Sequence, residues 1–145
     1  MGHRTFHGER ASVHPKSGYG SGDGNMIWIA NALVALVAAL HVYFLVLEMF
    51  LWTKPWGLKT FGNSLEKAMD SAVLAANQGL YNGFLAAGLL WGLVQGVPGF
   101  AFQIKVFFLL CVIVAGIYGA ITVSRRILYV QAAPAAVALI LLWLA

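Results

Sequence analysis

Four stretches of this chain are apolar at nearly every position, and its charged residues gather outside them. The runs cover about residues 26–52, 71–95, 102–124 and 127–145. Each reaches the roughly 17–25 residues that a helix needs to cross hydrocarbon. Lipid offers no hydrogen bonds, so a spanning segment must satisfy its own backbone, as a helix does. The pattern predicts an all-α fold: a four-helix transmembrane bundle over 26–145, behind a disordered N-terminal tail over 1–25. The fourth run contains Pro134, which a membrane helix tolerates where neighbours satisfy the freed carbonyl.

The connections are short and distinct. Residues 53–70 form the longest loop, with Lys54, Pro55, Gly57, Lys59, Gly62, Glu66, Lys67 and Asp70. Ser64 with Lys67 is not a capping box, whereas Asn63 with Glu66 fits one and predicts a short interfacial helix there. Gly96 to Phe100 reads as a tight turn, and Arg125 with Arg126 marks the third connection.

Composition agrees with the pattern. The 145 residues are 61% hydrophobic and 10% charged, with mean hydropathy +0.81. A soluble domain carries about 25% charged residues. The net charge of +4 has no basic stripe with interleaved aromatics, so membrane headgroups are expected partners and nucleic acid is not. Cys111 is the single cysteine. It excludes an internal disulfide and is expected to be buried and inert.

The tail holds His3, His7, His14, Arg4, Arg10 and Lys16 and almost no aliphatic residues, too little apolar area to order itself. His3 and His7 have a spacing that a metal could use on a helix, but a disordered tail is the expectation. Met26 is an alternative start, and whether 1–25 are translated stays open.

Loops one and three hold Lys54, Lys59, Lys67, Arg125 and Arg126. The positive-inside rule puts both in the cytoplasm of a plasma-membrane protein, with the termini outside. Counted from Met26, Lys105 is the one basic residue set against those five; the tail's bases would weaken the asymmetry. Trp52 and Trp56 fall at one interface, and Trp28, Trp91 and Trp143 fall towards the other.

Polar residues inside the runs call for explanation, because lipid penalises them. The first run holds His41 and Glu48, seven apart and so on one face. The second holds Asn77, Gln78, Tyr81 and Asn82; Gln78 and Asn82 share a face. The third holds Tyr118 and Thr122, the fourth Gln131. Counted from the basic side, Glu48, Asn77, Gln78, Thr122 and Gln131 lie at one depth, with His41 and Asn82 deeper. The expected ligand-binding site is a polar pocket of His41, Glu48, Asn77, Gln78, Asn82, Tyr118, Thr122 and Gln131. Mutual satisfaction and helix packing is the competing explanation. No metal set or cofactor motif is present: one His and one Glu seven apart make neither HExxH nor a facial triad.

Small residues recur at Ala75, Gly79, Gly83 and Ala87, and at Ala115, Gly116, Gly119 and Ala120. Core packing is the expectation, and a homo-oligomer through the Gly79/Gly83 or Gly116/Gly119 faces is the alternative.

The segments Leu33 to Leu36, His41, Leu47 to Trp52, Ala75 to Gly83 and Ala115 to Gly119 resemble a bacterial family of small four-helix membrane proteins, domain of unknown function 1304. The H-x6-E-M-x-L-W and A-N-Q-G-x-Y-N-G strings carry the resemblance, which covers about residues 26–145. It implies the fold and no chemistry. Three functions stay open: a module binding or transporting a lipid or small hydrophobic ligand, an enzyme using Glu48 and His41 as acid–base catalysts, and an accessory protein whose polar groups only specify packing.

Overall fold

A computed structural model describes residues 21–145, and every element among them is helical. The tail's His3, His7 and His14 lie outside the described residues. The elements are α1 (Ser21–Met49), α2 (Pro55–Phe61), α3 (Leu65–Asp70), α4 (Ala72–Val94), α5 (Pro98–Thr122), a π-helical turn (Leu128–Ala132) and α6 (Ala133–Leu144).

Two helices, Gly24–Met49 and Pro98–Thr122, are long and apolar enough to cross a membrane. Leu128–Leu144 is apolar but shorter. α4 has the length, yet Asn77, Gln78, Asn82 and its glycines dilute its hydropathy.

Several boundaries differ from the sequence pattern for local reasons. α1 begins at Ser21 rather than near residue 26. α5 begins at Pro98, not near 102. Proline suits the first turn of a helix, where its missing N–H has no partner to lose. The expected turn from Gly96 to Phe100 therefore shrinks to Gln95–Val97, where the Val97 N–H donates to Gln95 Oε1 at 3.2 Å.

Loop one is mostly helical. α2 starts with Pro55 and stops at Gly62, whose φ of 67° is left-handed; glycine takes that conformation without a Cβ clash. α3 is capped by Ser64, one residue later than expected. Ser64 Oγ accepts from the Lys67 N–H at 3.3 Å. Trp52 ties this loop to α4: its Nε1–H donates to Ser71 Oγ at 3.2 Å, and its ring lies 4.7 Å from that of Phe61.

The four long helical arms form a ring. α1 packs on α4 and α6, and α5 packs on the same two, so α1 and α5 occupy opposite corners. The centre is apolar, built from residues including Val34, Val37, Leu89, Leu109, Val112 and Ala138, with Ala30, Ala38, Ala135 and Leu142 around them. The last arm opens with the π turn, where the Ala133 N–H donates to Leu128 O, five residues back. Pro134 follows at once; it has no N–H to continue an α ladder.

Candidate functional site

α1 and α4 approach closely because α4 turns small residues towards α1. A Cβ at Gly79 would lie 2.6 Å from Met49 Cγ and 3.2 Å from Leu45 O, and one at Gly83 would lie 2.7 Å from Leu45 Cδ1. This contact sets Asn82 opposite Glu48. The Asn82 Nδ2–H donates to Glu48 Oε2 at 2.7 Å. Asn82 is 5% exposed and Glu48 is half-buried. Glu48 Oε1 takes no protein partner among the described residues and is not sealed from the surface.

His41 lies two turns away from Glu48, about 10 Å along α1, and is fully buried. Its Nδ1–H donates to Val37 O at 2.8 Å. In the neutral ring that bond leaves Nε2 as the acceptor, and Nε2 is the buried side-chain polar atom without a partner among the described residues. The Phe44 ring meets the imidazole edge-on at 6.0 Å. No hydrogen bond joins His41 to Glu48.

The remaining pocket residues do not converge. Asn77 is exposed and donates to Val73 O of its own helix at 3.0 Å. Gln78 is exposed although its i+4 neighbour Asn82 is buried. Tyr118 is 69% exposed, and the Thr122 hydroxyl donates back to Tyr118 O at 2.8 Å. Gln131 is half-buried and reaches Val112 O at 3.5 Å. The expected eight-residue pocket thus reduces to Glu48 with Asn82, and His41 deeper in the same bundle. Direction around the helices separates them: Asn77 and Thr122 bond their own backbone and face outward.

The small-residue faces are occupied within the chain. Gly79 and Gly83 serve the α1–α4 contact, and Gly116 meets Ala132, whose backbone N would lie 2.9 Å from an added Cβ. Cys111 is free and half-buried rather than buried.

One polar pair lies outside the expected pocket. Lys105, a topology marker near a helix end by its sequence, is 6% exposed, and its Nζ donates to Asn31 Oδ1 at 2.8 Å. The signal was present: Lys105 is the single charged residue within α5, and an isolated charge in an apolar span is functional or paired more often than idle. A separate, largely apolar groove of about 330 Å³ runs along the outside of α4 and α5, lined by Trp91, Phe100, Gln103, Ile104, Phe107 and Phe108.

Among the described residues these features define an all-helical fold with two membrane-length helices and an interhelical carboxylate–amide pair. The chain belongs to the family described as protein of unknown function DUF1304, whose model matches residues 35–143. It is also similar to the uncharacterized protein YpaA of Lactococcus lactis subsp. lactis (strain IL1403). The two are 28% identical over 115 residues, which are 77% of this chain and 95% of the relative. No solved structure matches the chain.

Proposed function

We propose that this is a four-span integral membrane protein that binds a lipid or small hydrophobic molecule through Glu48 and Asn82. Support for four spans is the outward direction of the apolar residues. Leu36, Phe84, Leu90, Phe107, Val114 and Ile140 are each at least 40% exposed, spread over all four arms. Water would penalise such a surface, and acyl chains would not. Trp28, Trp91 and Trp143 at one end and Trp56 at the other are exposed as well. Lys54, Lys59, Lys67, Arg125 and Arg126 share the second end, which on the positive-inside rule faces the cytoplasm, with both termini outside.

The observation carrying the ligand reading is the half-satisfied carboxylate. Asn82 holds Glu48 Oε2 in place, and Oε1 is left to a donor from outside the chain. A headgroup bearing a hydroxyl or amine meets that need, and the basic residues at the same end of the bundle suit an accompanying phosphate. Acid–base catalysis has less support, because His41 and Glu48 do not bond and the His41 ring is sealed. The packing role has its own observation: Gln131 of the π turn donates to the Val112 carbonyl of α5.

Co-purified lipid, identified by mass spectrometry from wild type and Glu48→Gln, tests the proposal. One lipid class enriched over bulk membrane in wild type, and depleted several-fold in the variant, is the expected result. Equal lipid content in two folded proteins leaves packing as the role of Glu48.

A further inference from the structure

Lys105 presents an electrostatic problem at the other end of the bundle. It lies seven residues into α5, about 10 Å below the helix start, among Ala101, Ile104 and Leu109, which are all buried. Its stem is accommodated by design of the neighbouring helix: a Cβ at Gly92 would lie 2.6 Å from Lys105 Cγ and 3.2 Å from Lys105 N. The ammonium carries three donors. One meets Asn31 Oδ1, a neutral acceptor, and among the described residues no carboxylate pairs with it. The negative end of the α4 dipole, two residues past Gly92, opposes the charge with half a unit at most. An ammonium withdrawn from water without a full counter-charge is unfavourable unless something supplies one. Asn31 is only half-buried, so the pair is reachable from its rim.

We infer that Lys105 and Asn31 form an oxyanion site, completed by a phosphate group that enters from the end of the bundle bearing the 95–97 turn. The donor chemistry is shared by an anionic phospholipid headgroup and by free inorganic phosphate. The site depends on the membrane placement above but not on Glu48, so the lipid test on Glu48→Gln can fail while this site stands.

The test is thermal unfolding of the full chain in phosphatidylcholine bilayers under three conditions: alone, with phosphatidylglycerol, and with sodium phosphate against sodium chloride of equal ionic strength. The wild-type midpoint is expected to rise by a few degrees with an oxyanion, since a ligand bound only to the folded state stabilises it. A rise with phosphatidylglycerol alone assigns a headgroup; a rise with phosphate as well assigns the free ion too. Lys105→Met removes the charge and should abolish the response. Asn31→Asp supplies an internal carboxylate, so it should melt above wild type in phosphatidylcholine and also lose the response. No wild-type response, or the same response in Lys105→Met, overturns the site. If Lys105→Met does not fold, Asn31→Asp decides: an undiminished response there also overturns it.

Discussion

Two of the seams of close helix approach in this bundle are built differently. Along α1 and α4, Gly79 and Gly83 face the movable side chains of Met49 and Leu45, with the Leu45 carbonyl further off. Between α5 and the π turn, Gly116 faces Ala132, where an added Cβ would lie 2.9 Å from a backbone nitrogen. The first seam has give and carries the Glu48–Asn82 hydrogen bond. The second has little, and the side-chain hydrogen bond across it is the long one that Gln131 Nε2 donates to the backbone Val112 O at 3.5 Å. The proposed ligand site therefore lies on the seam whose neighbours can move, while the stiffer seam fixes the bundle's shape.

Five substitutions break or sharpen that contrast. Gly116→Ala should have the largest effect, about 3 kcal/mol of lost stability, because backbone must separate to admit the methyl. Unfolding in bilayers or bicelles measures it, and a loss like that of the α4 glycines would erase the distinction. Asn82→Ala should lose about 1–2 kcal/mol, since it strips a half-buried carboxylate of its donor. Asn82→Asp should be worse than Asn82→Ala by the same assay, as two carboxylates would then face each other. Gly83→Ala should cost under about 1 kcal/mol, because only the tip of Leu45 need turn. Thr122→Ala should be near neutral, within about 0.5 kcal/mol, as expected of an exposed residue bonded to its own helix.

The helices were legible in the sequence because apolar runs of membrane length leave little else to form. Their ends were less so. Pro98 reads equally well as part of a turn or as the first residue of a helix, and only the second accounts for the length of α5. The candidate site was legible in part. Glu48, Asn82 and His41 stand out as polar residues in apolar runs, and the first two do meet. Asn77, Gln78 and Thr122 were grouped with them by depth, and Gln78 also by the face it shares with Asn82. Counting residues gives height along an axis, but facing direction depends on which stripe of each helix meets a neighbour. In α4 that stripe is Ala75, Gly79, Asn82, Ala86 and Leu89, which leaves Asn77 and Gln78 outside. Lys105 was visible throughout, yet its use as a topology marker hid that its stem turns inward onto Gly92.

The wide turn at Leu128–Ala132 acts on the last arm as a phase shifter. It holds one residue more than an α ladder of the same length, and one residue corresponds to about 100° of rotation around a helix. The paired arginines and the Ala135, Ala138 and Leu142 stripe are thereby offset by that rotation. Deleting a single residue there would draw the arm into regular pitch and swing Arg125 and Arg126 about a quarter-turn around the bundle, with the inward stripe left as it is.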